Sequence, residues 1–249
     1  VKKLLVPFFT AGYPELQSTK KIISLLEEAG SDYIEIGLPH TDAIADGQVI
    51  QESSTKAIEN GINIQILFEQ ISQLNSISIS SKLVLFSYFN PLLAYGLEKS
   101  LADWKSVGGS CLLIPDLPIE ESQIVLELAK QYDLRVIFLA TLTSTEARLK
   151  KTVELNREFT YLVSVTGVTG ARETKLSGKL KKIIQAIKIQ EPEVPVVIGF
   201  GISNFTQVKE AISLGSDGVV IGSALVRLLK EKNFRESFQL IKSLRTALG

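Results

Sequence analysis

Two carboxylates stand out in the stretch "YIEIGLPHTDAIADG" (33–47): Glu35 inside an apolar run, and Asp46 a short way beyond it. Side chains alternate along a strand, so Ile34, Ile36 and Leu38 share one face while Tyr33, Glu35 and Gly37 share the other. The apolar set suits packing against helices, which turns Glu35 to the inside of a sheet closed on itself. A carboxyl shut away from water has a raised pKa and can give or take a proton near neutral pH. The alternative is a buried ion pair. The strand-like runs offer Lys3, Lys82 and Arg135 for it, each at the start of its run and so at the opposite end from the site. Asp46, like Asp42, falls in the segment after the run. Followed by Gly47, it reads equally as a plain turn former or as a second group for the same chemistry.

A second constellation is built from glycines. "VVIGFGIS" (196–203) carries Gly199 and Gly201, "DGVVIGSALV" (217–226) carries Gly222 and Ser223, and "VTGVTGARE" (165–173) carries Gly167 and Gly170. Glycines at strand ends let backbone N–H groups approach an anion, and a helix starting there adds a favourable dipole. Three such loops in series predict a phosphate site. Phe8, Tyr88, Tyr161 and Phe200 fall near the same ends, where they serve either as core filling or as the wall of an aromatic ligand's pocket.

These groups need elements to hold them. Short apolar runs occur at 3–9, 33–38, 82–89, 111–115, 135–140, 160–165, 194–200 and 218–223. Between them lie segments of helical spacing. "STKKIISLLEEAG" places Ile22, Leu25, Leu26 and Ala29 on one face and stops at Gly30. "IEESQIVLELAK", "TEARLKKTVELN", "SGKLKKIIQAIK", "NFTQVKEAISLG" and "ESFQLIKSLRTAL" follow the same pattern. Strand–helix units of this length imply parallel strands, and eight in series predict a closed (β/α)8 TIM barrel over residues 1–249 as one domain. An open doubly wound sheet is the alternative. In the barrel, chemistry belongs at the C-terminal ends of the strands.

Composition narrows the classes. The 249 residues are 45% hydrophobic and 22% charged with a formal net charge of zero, which fits a sizeable core and argues against a nucleic-acid surface. No apolar run reaches the ~18 residues of a membrane span. Cys111 is the lone cysteine, so no disulfide forms within the chain, and a reducing, cytoplasmic setting fits. It sits in an apolar run and reads as a buried, inert thiol. His40 is the sole histidine, which excludes a multi-histidine metal site and leaves a surface residue as its default reading. Neither a G-x-S-x-G elbow nor a strand–GxGxxG–helix fingerprint is present.

Taken together, "VPFFTAGYP" (6–14), "YIEIGLPHTDAIADGQVIQ" (33–51), "FSYFNPLLAYG" (86–96), "LLIPDLPIEES" (112–122), "SVTGVTGAR" (164–172), "GFGIS" (199–203) and "DGVVIGSALV" (217–226) resemble the α subunit family of tryptophan synthase over essentially the whole length. The resemblance implies a TIM barrel that cleaves indole-3-glycerol phosphate to indole and glyceraldehyde 3-phosphate, in the cytoplasm or, after removal of a transit peptide, in the plastid stroma. It gives Glu35 and Asp46 the catalytic positions. Thr169 falls in the loop that closes over substrate. Gly170, Gly201, Gly222 and Ser223 match phosphate contacts, and Phe8, Tyr88, Leu139, Tyr161 and Phe200 match the wall around the indole ring. The family's α subunit needs no metal or organic cofactor. Its partner is the β subunit, a pyridoxal-phosphate enzyme, in an α2β2 complex.

The sequence departs from the family at the loop after Glu35. His40, Thr41, Ala43 and Gln48 stand where the family usually has Phe, Ser, Pro and Pro. Losing two prolines leaves a loop less ordered before binding, and this loop contributes to the family's β contact. The helix that usually precedes the first strand is also missing from a sequence that starts at Val1. Other readings are a stand-alone indole-releasing lyase, a mainly allosteric partner of β, and another phosphate-binding barrel. Retention of Glu35, Asp46 and the glycine loops speaks against the last two.

Overall fold

The computed structural model describes residues 2–74, 79–163, 171–199 and 201–249, with residues 171–176 as backbone. Thr169, Gly170 and Phe200 lie outside the described residues, as does Gly167. The elements run β1 (Leu4–Thr10), α1 (Ser18–Glu28), β2 (Tyr33–Gly37), α2 (Gln48–Glu59), α3 (Ile64–Ser72), β3 (Lys82–Phe86), α4 (Phe89–Tyr95), α5 (Leu97–Ser106), β4 (Gly109–Leu113) and α6 (Gln123–Gln131). They continue with β5 (Arg135–Ile137), β6 (Leu139–Thr141), α7 (Glu146–Leu155), β7 (Thr160–Val163), α8 (Ala171–Gln190), β8 (Val196–Gly199), α9 (Phe205–Ser213), β9 (Gly218–Ile221), α10 (Ser223–Lys230) and α11 (Phe234–Leu248).

All the strand pairs are parallel, in the order β5-β4-β3-β2-β1-β9-β8-β7-β6. The two ends of that order are consecutive in the chain, so the sheet closes into the TIM barrel that the strand–helix alternation predicts. The run 135–140, read as one strand, is divided at Phe138: its first half bonds β4 and its second half bonds β7. At the break Asn156, fully buried, replaces the missing ladder. Its Oδ1 accepts from Phe138 N–H (2.8 Å) and its Nδ2 donates to Phe138 C=O (3.1 Å). Backbone polar groups cannot be left unpaired in a core, and one carboxamide satisfies both. The run 82–89 ends as a strand at Phe86. Phe89 N–H is taken by Asp116 Oδ1 (2.9 Å), which starts α4 and sends Tyr88 into the loop above the barrel.

Alternation sorts the core into two shells. Leu5, Phe9, Ile34, Ile36, Leu83 and Leu85 pack outward against the helices. Val6, Tyr33, Val84, Cys111, Leu113 and Val197 fill the barrel. The thiol of Cys111 is buried there, and burial pushes it up to about 12, which keeps it inert. Helix α1 buries Ile22, Ile23 and Leu26, and Gly30 just beyond it takes φ +91°, the left-handed turn that glycine accepts at no steric cost.

The bottom of the barrel gathers the cations that begin the strands. Lys2 and Arg245 pair with Asp32, Lys82 and Arg135 with Glu158, and Lys3 and Lys188 with Asp217. Tyr33 donates its hydroxyl to Glu158 Oε2 (2.6 Å) from inside. These contacts occupy Lys3, Lys82 and Arg135 at the end away from Glu35.

Candidate active site

Strand β2 is buried on both faces, and its register sets Glu35 between Phe8 of β1 and Val84 of β3. Glu35 points inward, as alternation requires, and is 1% exposed. Its Oε1 has no hydrogen-bond partner among the described residues. Burial alone pushes its pKa up to about 8. At neutral pH the group is therefore mostly the neutral acid, by roughly ten to one.

Asp46 comes from the loop between β2 and α2. That loop is built from short turns: Ile44 N–H donates to Asp42 O and Asp46 N–H to Ala43 O. Gln51, one turn into α2, holds it from below, its Nε2 donating to Ala43 O (3.2 Å) and Asp46 O (2.9 Å). From above, Tyr88 accepts from Ala45 N–H (2.9 Å) and donates to Asp46 Oδ2 (3.0 Å). Burial pushes Asp46 up to about 6, against the Tyr88 hydrogen bond, which favours the carboxylate. His40 is partly buried, not a free surface histidine. Its ring leans on Tyr88 with centroids 5.4 Å apart.

Both carboxyl side chains line one cavity of about 440 Å³ at the C-terminal ends of the strands. Its apolar wall includes Phe8, Phe86, Leu139, Tyr161, Val163 and Val220. Tyr161 is buried, and burial, with the nearby charges of Glu35 and then Asp46, holds its hydroxyl well above the usual phenol range. Two glycines make room for these rings. A Cβ on Gly37 would lie 2.6 Å from Phe8 Cζ, and one on Gly199 would lie 2.2 Å from Tyr161 Cε1. Gly199, singled out in the sequence for its backbone, is thus also required where it stands by the ring above it.

At the other end the cavity meets Gly201, Ser203, Gly222, Ser223 and Ala224. Gly201 has φ +78°, and Gly222 leads into α10, whose first residue is Ser223. The first N–H groups of a helix lack intrahelical acceptors and favour an anion.

Of the residues expected from sequence, Glu35, Asp46, Phe8, Leu139, Tyr161, Gly201, Gly222 and Ser223 meet at this cavity. Tyr88 acts one step back, through the loop. Phe86, Thr141, Val163, Val220 and Arg227 were not singled out by the sequence reading. The first four are legible from parity: each lies two residues from an inward position, Val84, Leu139, Tyr161 and Gly218 or Gly222 respectively. Among the described residues no His, Cys, Asp and Glu cluster could hold a metal ion, and no helix is long and apolar enough to cross a membrane.

Fold and cavity place the chain among the TIM-barrel enzymes. The family profile described as "Tryptophan synthase alpha chain" matches residues 1–247. The tryptophan synthase alpha chain of Pyropia yezoensis is 40% identical over 90% of this chain and 84% of its own, and that of Arabidopsis thaliana is 36% identical over 99% and 90%. A solved chain from Aquifex aeolicus superposes with a TM-score of 0.90 at 34% identity, covering 99% of this chain and 93% of that one. One from the tryptophan synthase of M. tuberculosis in an open form gives 0.88 at 27% identity, with 99% and 93% covered. The chain belongs to the tryptophan synthase alpha chain family.

Proposed function

We propose that this chain is the lyase subunit that splits indole-3-glycerol phosphate into indole and glyceraldehyde 3-phosphate, with Glu35 and Asp46 as its catalytic residues. The observation that carries the assignment is Glu35: a buried carboxyl with an unpartnered oxygen, neutral at physiological pH, facing a cavity shared with a second carboxylate.

The reaction is a retro-aldol cleavage, and indole leaves poorly as a carbanion. Glu35 as the acid first gives its proton to ring carbon C3, which yields an indolium cation. Asp46 as the carboxylate accepts a hydrogen bond from the ring N–H and stabilises the positive charge there. Glu35, now ionised, takes the proton from the hydroxyl on the carbon bonded to the ring. That carbon becomes the aldehyde, the carbon–carbon electron pair returns to the ring, and indole is released. The proton given and the proton taken balance, so Glu35 ends each turnover as the acid it began. A pKa near the working pH is what such a shuttle needs. Phe8, Leu139 and Tyr161, with Tyr88 behind the loop and Phe200, form the proposed wall for the ring. Gly201, Gly222, Ser223 and Gly170 are the proposed phosphate contacts, and Thr169 belongs to the proposed closing loop. In this subunit the chemistry draws on side chains alone.

A β subunit bearing pyridoxal phosphate is the proposed partner, in an α2β2 assembly. The loop carrying Asp46 supports this reading, because it presents Ile44, 81% exposed, at its crest. Coupling β to that loop would act on Asp46 directly through the backbone. The proposed compartment is the cytoplasm or the plastid stroma.

The test is indole release from indole-3-glycerol phosphate, with and without added β subunit, beside Glu35→Gln. Turnover that survives Glu35→Gln would remove the catalytic assignment. Full turnover without β would remove the partner dependence and leave a stand-alone lyase.

A further inference from the structure

Among the described residues, the cavity's charged lining has one cation. Glu35 and Asp46 are acids, and among the described lining residues Arg227 alone is basic. Resting on the lyase reading above, we propose that Arg227 captures and orients the phosphate end of the substrate, and is a specificity-determining residue for phosphorylated over unphosphorylated indolyl glycerols.

Arg227 follows Ser223 by four positions on α10, so the two share a helix face. Helical side chains lean back toward the N-terminus, which carries the guanidinium toward the cradle formed by Gly222, Ser223 and Ala224. Arg227 makes no ion pair or side-chain hydrogen bond among the described residues. The nearby lysines on α10 and on α2 are engaged: Lys230 lies 3.9 Å from Glu52, and Lys56 lies 3.1 Å from Glu59. Arg227 also borders the adjoining groove that holds Glu52 and Lys56, so its head has room to swing between two walls.

The electrostatics call for such a group. A phosphate monoester is nearly a dianion at neutral pH, whereas a helix start supplies the equivalent of about half a positive charge. Ionised Asp46 in the same cavity opposes the ligand. The whole chain has a net charge of zero, so no general field draws an anion in. A guanidinium at the mouth answers both needs, and its planar fork matches two phosphate oxygens at once.

The experiment uses the full chain with β subunit present. For wild type, Arg227→Ala and Arg227→Lys, indole release gives KM and kcat. Glycerol 3-phosphate and indole serve as competitive probes of the two ends of the cavity. For Arg227→Ala, KM and the Ki of glycerol 3-phosphate should rise together by about 5–30-fold, the range for a partly exposed charge-assisted contact. The indole Ki should hold, kcat should stay within about twofold, and Arg227→Lys should recover most of the loss. Wild-type KM should also climb more steeply with added salt than that of Arg227→Ala. An unchanged Ki for glycerol 3-phosphate, or an equal rise for both probes, overturns the proposal. A wild-type chain that releases no indole would instead remove the lyase reading, whereas an active wild type with an indifferent Arg227→Ala removes only this inference.

Discussion

Tyr88→Phe tests whether Asp46 works as a carboxylate. In the native loop the Tyr88 hydroxyl donates to Asp46 Oδ2 at 3.0 Å and so favours the ionised form. A hydrogen bond to a charged group is worth about 1.5–3 kcal/mol, and a pKa unit is about 1.4 kcal/mol, so deletion would raise the pKa by about 1–2 units in a dry site. Asp46 is only partly buried, and water takes over part of the lost bond, which brings the expected rise to about one unit. The acid limb of turnover should then move from about 6 to about 7. At pH 6.5 the ionised fraction falls about threefold, while at pH 7.5 it falls by only about a fifth. The alkaline limb belongs to Glu35 and should stay near 8. Tyr88→Phe also strips Ala45 N–H of its acceptor, which loosens the loop and lowers rates by a factor independent of pH. The assay is initial-rate indole release between pH 5 and 9 at constant ionic strength. It is read as kcat, so that the second ionisation of the substrate phosphate, near ~6, does not enter through binding. An acid limb that stays in place while the plateau drops would show that Tyr88 serves only loop order. A limb that moves downward would refute the carboxylate role.

Three further outcomes follow from other contacts. Glu35→Gln should lower kcat by about 10²–10⁴ or more, and yet stabilise the fold at alkaline pH. The sign follows from a folded pKa of about 8 against an ordinary 4.5: wild-type stability is full at low pH and falls as pH rises through that window, whereas the amide has no such term. The upper bound at pH 8 is about 5 kcal/mol, less about 1–3 for an unpaired amide, and urea midpoints at pH 5 and 8 measure it. Asn156→Ala should cost about 2–4 kcal/mol, because Phe138 loses partners for both backbone groups; a lower denaturation midpoint with unchanged slope checks this. Gly37→Ala puts a methyl into the Phe8 ring and should cost about 1–3 kcal/mol, with a loss of indole-releasing efficiency and a lower Tm as the readouts.

How much of this was legible in the sequence depended on whether the deciding force was local. Alternation in β2 placed Glu35 correctly because the pleat fixes side-chain direction residue by residue. The position of Gly201 and Ser223 at the cavity was likewise readable, from strand-end glycines followed by a helical run. The split at Phe138 was not, because it depends on Asn156, which lies 18 residues on, and an asparagine at a helix end looks like any cap. Tyr88 drew attention as an aromatic near the site, but its hold on Ala45 and Asp46 spans a loop whose course no periodicity sets. His40 reads as a surface residue in the sequence because the ring it leans on is distant in the chain. Arg227 carries no local signal in the sequence, because its place at the cavity depends on how α10 packs against the barrel.

The barrel interior treats its two glutamates in opposite ways, and that contrast explains how an unpaired acid is tolerated. Glu158, at the bottom, receives the Tyr33 hydroxyl and the charges of Lys82 and Arg135. Those partners tie the strand starts together. Tyr33 and Glu35 lie two residues apart on the same face of β2, yet Glu35 sits between Phe8 and Val84 in the register and, among the described residues, receives no cation. A pair there would strengthen the fold and fix the carboxylate, leaving no proton to give. Leaving the acid unpaired costs stability as pH rises toward 8, and the ion pairs and buried shells below it offset that cost. The proposed phosphate end calls for the reverse arrangement, a permanent charge that can move. On the proposed reading Arg227 of α10 supplies it, while burial alone sets the raised pKa of Glu35; a positive charge beside that acid would pull the pKa back toward the ordinary range.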